Sequence, residues 1–117
     1  MIPEPGGFEF YSRTNVRITM DQWMTFMRNM AYKVVAVTDF GSTEETRCAV
    51  STVWLGMHIP LHHREVPLIF ETMVFAPGTE LNDLQWRYGT IDQAIEGHDM
   101  LATGLRLELA EKGALRG

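Results

Sequence analysis

Three histidines lie close together near the middle of the chain. His58, His62 and His63 fall within six residues of one another, and neutral imidazoles bind zinc, nickel or copper. A structural zinc site usually has four ligands, so Cys48 or His98 would have to complete this one. The spacing matches none of the familiar zinc signatures. A metal site at His58, His62 and His63 is therefore one hypothesis, and a solvated loop rich in histidine is the other.

The fourth histidine, His98, lies on the apolar stripe of a predicted C-terminal helix, between Ile95 and Leu101. A buried imidazole needs partners for both ring nitrogens. One interpretation is a core histidine bonded to a strand carbonyl or to Glu71. The other is a donor in a ligand pocket or a general base, because the pKa of histidine lies near neutrality.

Glu71 interrupts an apolar segment, residues 68–75, that predicts a strand. Strand alternation places Glu71 on the same face as Met73 and Phe75. A carboxylate in such surroundings needs a partner, and Arg87 on the following strand is expected to lie across one strand pairing. The pair is either a structural salt bridge or the polar floor of a pocket.

Three aromatic residues on predicted strands, Trp54, Trp86 and Tyr88, could stack on a base or a ring, although such residues more often belong to a core or an interface. The hypothetical ligand pocket combines some of these aromatic residues with the polar candidates: Trp54, Glu71, Arg87, Tyr88 and His98. The chain has no phosphate loop, dinucleotide-binding glycine pattern or nucleophile elbow. These absences favour a protein without catalytic activity.

Two capping boxes mark the starts of the helices that must position these residues. Thr-Met-Asp-Gln at residues 19–22 precedes an apolar helical face and predicts a helix over about residues 20–30. Thr-Ile-Asp-Gln at residues 90–93 repeats this chemistry before the C-terminal helix. Gly97 and Gly104 lie inside that second helix, where either could permit close packing of another backbone.

Four strands are predicted between the helices, within residues 32–38, 46–57, 68–75 and 84–88, after an N-terminal hairpin of residues 8–18. Their connections are too short for helical crossovers, so neighbouring strands should pair antiparallel. The predicted fold is α+β: an antiparallel meander sheet with helices packed on one face. One domain is expected over residues 8–117, after a flexible Pro- and Gly-rich start at residues 1–7.

The uncovered face of this sheet is expected to carry Trp54, Trp86 and several methionines. An apolar surface of that kind indicates a partner. The sequence therefore predicts a homo-oligomer, with a dimer as its simplest form.

Composition narrows the possible partners. The 117-residue chain is 45% hydrophobic and carries a net charge of −5, with scattered arginines and only two lysines. Nucleic-acid binding requires clustered positive charge, so no nucleic-acid partner is expected. No signal peptide and no apolar run of about 20 residues is present, so no membrane association is expected. Cys48 is the lone cysteine, which fits a reducing, cytoplasmic compartment. No cofactor is predicted.

Several segments together resemble a known family. VSTVWLG at residues 50–56, PLIFETMVF at 67–75, Arg87-Tyr88 and Gly97-His98 are similar to a family of small uncharacterised proteins of tailed bacteriophages and prophages. The resemblance covers most of residues 11–100. It departs from the family pattern after Gly56, where prolines and histidines stand in place of an Asp-His pair and glycines. The resemblance implies a phage origin and a bacterial host cytoplasm, but no activity.

Three functions are consistent with these observations. The first is a non-enzymatic accessory protein of a phage that counters a host defence, by sequestering a small signalling molecule or by blocking a host protein. The second is a structural or assembly protein of the virion that works through oligomerisation. The third is a metal hydrolase with histidine ligands.

Overall fold

The computed structural model describes residues 7–40, 48–60 and 66–111. The N-terminal part contains β1 (Glu9–Tyr11), β2 (Arg17–Ile18), α1 (Met20–Met27) and α2 (Met30–Lys33). The remainder contains β3 (Val34–Asp39), β4 (Ala49–Trp54), β5 (Met57–His58), β6 (Phe70–Phe75), β7 (Gln85–Tyr88) and α3 (Ile91–Glu111). Most of the flexible start predicted for residues 1–7 lies outside the described residues.

The described strands form two antiparallel sheets, which confirms the predicted α+β class and strand polarity. The larger sheet has the order β3-β4-β6-β7, and the smaller has the order β2-β1-β5. The N-terminal hairpin therefore does not extend the main meander. It pairs instead with the short strand β5, where Glu9 lies opposite His58 and Phe10 lies opposite Met57.

Gly56 separates the two sheets. The sequence predicts one strand over residues 46–57, but β4 ends at Trp54 and the chain turns before β5. Gly56 has a φ of +68°, and a Cβ atom added there would overlap the indole of Trp54. Only glycine fits this combination of conformation and contact. The Tyr11 amide then donates to the Gly56 carbonyl at 2.8 Å, which ties the smaller sheet to the larger one.

The predicted capping box at the start of α1 is present. The Gln22 amide donates to Thr19 Oγ1 at 3.1 Å, and the Thr19 amide donates to Gln22 Oε1 at 2.9 Å. The helix is shorter than predicted because Asn29 adopts an extended conformation after Met27. The Asn29 side chain then accepts a hydrogen bond from the Tyr32 amide and caps the separate short helix α2.

Helix α3 packs along one side of the larger sheet, as predicted, and Phe26 of the short helix α1 meets Trp54 on the same side. Near the C-terminal end of α3, Leu105 and Leu109 pack against Val50 and Val74. Near its N-terminal end a second cluster joins residues of the sheet and α3 to the N-terminal part of the chain: Trp54, Ile69, Phe70, Tyr88, Ala94, Tyr11, Ile18, Trp23, Phe26, Met27, Tyr32, Val35 and Ile91. Between the two clusters lie three buried polar residues, Thr52, Thr72 and His98.

The two glycines of α3 differ in what surrounds them, which allows a matched prediction. A Cβ atom at Gly97 would overlap the ring of the buried Tyr88. Gly97 therefore makes room for the Tyr88 side chain and not for another backbone. A Cβ atom at Gly104 would meet only Leu81, at 3.6 Å. We expect Gly97→Ala to lower the free energy of unfolding by about 1–2 kcal/mol, since overpacking outweighs the gain in helix propensity.

The control variant Gly104→Ala should raise the free energy of unfolding by about 0.5–1 kcal/mol, because it gains helix propensity without a clash. Urea denaturation followed by circular dichroism measures both effects. Equal stabilisation by the two substitutions would show that the Tyr88 ring does not restrict position 97.

Candidate functional site

The five residues of the hypothetical ligand pocket are divided between the two faces of the larger sheet. Trp54, Tyr88 and His98 lie on the face that α3 covers, which we call the inner face. Glu71 and Arg87 lie on the opposite, outer face, because they alternate with the inner-face residues along β6 and β7. The single pocket expected from the sequence is therefore not formed by these residues.

His98 is held by hydroxyl groups. Its side chain is 3% exposed, with Nε2 2.8 Å from Thr38 Oγ1 and Nδ1 2.8 Å from Thr52 Oγ1. Thr52 Oγ1 also lies 2.5 Å from Thr72 Oγ1. A neutral imidazole satisfies both contacts, donating at one nitrogen and accepting at the other. The predicted bond to a strand carbonyl or to Glu71 is absent, and threonine hydroxyls of three neighbouring strands form the network instead.

Burial lowers the pKa of His98 below its ordinary value of 6.5, because the charged imidazolium loses its hydration. The nearby Asp99 acts in the opposite direction and is the smaller influence on this pKa. With both ring nitrogens engaged, the neutral imidazole is a structural part of the interface between sheet and helix.

Glu71 and Arg87 form the predicted cross-strand pair. They lie directly opposite each other in the register of β6 and β7, and Arg87 Nε donates to Glu71 Oε2 at 3.1 Å. The Glu71 side chain is largely covered, whereas that of Arg87 is about half exposed. This geometry corresponds to the structural salt bridge, one of the two interpretations that the sequence leaves open.

Trp54 is a core residue. Its side chain is fully buried, and Nε1 donates to the Tyr11 carbonyl at 3.0 Å. The rings of Phe26 and Tyr32 meet its indole edge to face, at centroid distances of 6.1 and 4.9 Å. The expectation that Trp54 lies on the uncovered sheet face is wrong, because the N-terminal part of the chain covers it.

Trp86, in contrast, is exposed and lines an apolar depression. It lies on β7 at the edge of the sheet, opposite Thr72, and is 63% exposed although it faces the helix side. The adjacent flank of α3 carries Gly97, against which the Tyr88 ring packs. A groove of about 420 Å³ remains between strand and helix, lined by Leu84, Trp86, Tyr88, Gly97, Met100 and Leu101. We call it the β7–α3 groove.

The walls of the β7–α3 groove are almost entirely apolar, and the α3 side of its border carries acidic residues. Met100, also at the surface, is 70% exposed and belongs to this groove as well as to two neighbouring depressions. Those depressions add Glu96 and Asp99, both exposed on α3. The sequence analysis missed Leu84, Met100 and Leu101 as site residues. The signal that could have indicated them is Met100, an apolar residue outside the buried stripe of α3.

A second apolar surface lies on the outer face of the larger sheet. Val37, Ala49, Ser51 and Phe75 line it, and loop residues near Pro77 form its border. Val37 and Phe75 are both exposed. No described helix covers this face, so it is a second candidate for contact with another protein.

The metal hypothesis concerns residues that are only partly described. His58 lies on β5, whereas His62 and His63 lie outside the described residues. Within residues 7–40, 48–60 and 66–111, no group of three or more His, Cys, Asp or Glu side chains could hold a metal ion. Among the same residues, no helix has the length and apolarity needed to cross a membrane.

Comparisons with known proteins identify no relative that could indicate a function, so the function is argued from the geometry of the described residues. Scans against family models, curated proteins and solved structures give no match to the chain.

Proposed function

We propose that this chain is a non-enzymatic accessory binding protein of a bacteriophage that docks on a protein of its bacterial host, in the host cytoplasm, and thereby counters a host defence. The observation that carries the proposal is the β7–α3 groove, with Trp86 and Met100 exposed on its two walls. Exposed tryptophan and methionine side chains around an apolar depression are typical of protein interfaces. The sequence resemblance to phage proteins supports the cellular setting.

The groove favours a protein partner over a small signalling nucleotide. Binding of an anionic nucleotide needs cationic donors directed at its phosphates. Among the described residues that line the groove and the depression beside it, Arg87 is the only cationic one, and its guanidinium is paired with Glu71 on the outer face. The border residues Glu96 and Asp99 would repel phosphate groups. Blocking of a host protein is thus better supported than sequestration of such a molecule.

The surroundings of His98 support a non-enzymatic function. A general base must reach the proton that it abstracts from a substrate. Both ring nitrogens of His98 already lie within hydrogen-bonding distance of Thr38 and Thr52, and its side chain is buried. The best candidate for acid–base chemistry in the sequence therefore serves the packing of α3 on the sheet.

A charge placed in the groove tests this proposal. The full chain is immobilised, proteins from a bacterial lysate are captured, and each retained protein is purified and titrated by calorimetry. We expect Trp86→Lys to weaken the affinity for the partner at least tenfold, because a central aromatic contact is lost and a charge is buried.

Phe75→Lys is the control, since Phe75 is an exposed aromatic residue on the outer face. It should leave the affinity unchanged. A partner whose binding tolerates Trp86→Lys, or loss of binding in the Phe75 variant alone, would contradict the proposed role of the groove.

The outer sheet face supports a second function, that of a virion structural or assembly protein acting as a homo-oligomer. Val37 and Phe75 are exposed there beside Ala49 and Ser51, on the sheet face that no described helix covers. This candidate predicts that purified virions contain the chain. It also predicts that Phe75→Lys converts an oligomer to a monomer in analytical ultracentrifugation, and absence from virions would exclude it.

A further inference from the structure

We infer that the partner of the β7–α3 groove binds as an extended, basic segment that adds one strand to β7. This inference rests on the proposed function, because it specifies how the same groove recognises a protein. The side chains of the added segment would alternate. One set would enter the groove beside Trp86, and the other would face the outer side of the sheet.

The backbone of β7 is available for such pairing. Among the described strands of this sheet, in the order β3-β4-β6-β7, the strand β7 has a neighbour on one side only. The Val74 amide donates to the Leu84 carbonyl at 3.0 Å, and Trp86 lies two residues further along, opposite Thr72. Because bonded and non-bonded pairs alternate in an antiparallel ladder, the backbone of Trp86 faces β6. The backbone groups of Gln85 and Arg87 therefore point away from the sheet.

Residues Gln85–Tyr88 of β7 include neither lysine nor proline, two residues that commonly protect an edge strand from pairing. Exposed edge strands are commonly guarded by lysine, proline or a bulge. The sequence of β7 is Gln85-Trp86-Arg87-Tyr88, with regular register to β6 and with its single charge paired to Glu71. An exposed tryptophan on an edge strand is a liability unless it serves binding.

The position of Trp86 links strand pairing to the groove. It lies between Gln85 and Arg87, the two residues whose backbone groups point outward, and its side chain faces the helix side. A partner residue opposite Trp86 would occupy a non-hydrogen-bonded pair, in which side chains are closest. That side chain would point towards Met100, so an apolar residue is expected there.

Charge decides between a second copy of this chain and another protein. Glu96 and Asp99 are exposed beside the groove, and the whole chain carries a net charge of −5. Two copies joined through β7 would bring like charges together, and a two-fold axis at Arg87 would oppose two arginines. Lysine or arginine on a different chain would meet Glu96 and Asp99 favourably. A basic partner segment is therefore favoured.

The inference is tested with a random library of linear twelve-residue peptides displayed on phage and selected on the full chain. Enriched sequences are synthesised, and their dissociation constants are measured by fluorescence anisotropy at two salt concentrations. We expect net positive peptides with alternating apolar residues, which lose at least tenfold in affinity with Trp86→Lys. Their affinity should fall as the salt concentration rises.

Two further variants separate the backbone contribution from the charge contribution. Gln85→Pro removes an outward amide at the first residue of β7, a position where proline is tolerated in a strand. It should weaken binding at least tenfold, whereas its control Gln85→Thr should not. The double variant Glu96→Lys, Asp99→Lys changes only exposed helix positions and should weaken binding of the same basic peptides at least tenfold. Circular dichroism confirms that each variant is folded.

Several outcomes would overturn the inference. Enrichment of acidic peptides, or binding that is insensitive to both Gln85→Pro and the double variant, would exclude a basic added strand. Failure to enrich any peptide would exclude strand addition, and a β7-dependent dimer would identify a second copy as the occupant. The proposed function would survive these results if Trp86→Lys still abolished binding of a folded host protein, so the two failures are distinguishable.

Discussion

Replacement of Trp54 by alanine is expected to lower the free energy of unfolding by about 3–5 kcal/mol. The side chain is fully buried on the inner face, and its indole N–H donates to the Tyr11 carbonyl. Its ring is in edge-to-face contact with both Phe26 and Tyr32. The substitution therefore leaves a cavity and removes contacts between the larger sheet and the N-terminal part of the chain. Urea denaturation followed by far-ultraviolet circular dichroism measures the loss.

Trp86→Ala is the matched control, because the same residue type is removed from an exposed edge strand. We expect it to change the free energy of unfolding by less than about 1 kcal/mol, since Trp86 is largely in contact with solvent. Comparable losses for the two substitutions would contradict the assignment of Trp54 to the core and Trp86 to a surface site.

These two tryptophans show where sequence reasoning reached its limit. Strand alternation predicts which neighbours share a face, but both residues look alike when only their own strands are considered. What buries Trp54 is the approach of Tyr11, Phe26 and Tyr32, which are distant in sequence. What exposes Trp86 is its place on the edge strand. Both facts depend on tertiary packing that local patterns do not encode.

Features that depend on local spacing were predictable. The capping box at Thr19, the antiparallel strand polarity and the Glu71–Arg87 pairing follow from residue order and period, and the structure confirms them. The burial of His98 follows from its place on the apolar stripe of α3. Its partners did not follow, because Thr38, Thr52 and Thr72 come from three strands whose relative register is set by the whole sheet.

The separation of the N-terminal hairpin into a second sheet was also missed. The sequence predicts a β-rich segment up to residue 57. Within that segment, Gly56 is the one residue that indicates where the strand ends. A glycine inside a strand can be a bulge, a bend or a close contact. Here it is both a bend and a close contact, because its positive φ turns the chain and the Trp54 ring lies where a Cβ atom would stand. Which of these roles Gly56 has depends on the orientation of the Trp54 ring, and only the structure shows that orientation.

The stability of the protein is expected to decrease as the pH is lowered below about 6.5 because of His98. Burial lowers the pKa of this imidazole in the folded state, so the unfolded chain binds a proton first as the pH falls. The contribution is fully present above the ordinary pKa of 6.5 and is lost as the pH decreases towards the lower folded-state pKa. The slope contributed by this residue is at most about 1.4 kcal/mol per pH unit.

His98→Gln isolates this contribution, because glutamine is polar but does not titrate. At pH 7.5 the variant should lose about 1–3 kcal/mol of unfolding free energy, since the hydroxyls of Thr38 and Thr52 lose well-placed partners. Between pH 7 and pH 5 its stability should fall less steeply than that of the wild-type chain. Urea denaturation at fixed ionic strength gives both curves. Parallel curves would show that the imidazole protonates equally well in the folded and unfolded chain, and the threonine network would then not enforce a neutral histidine.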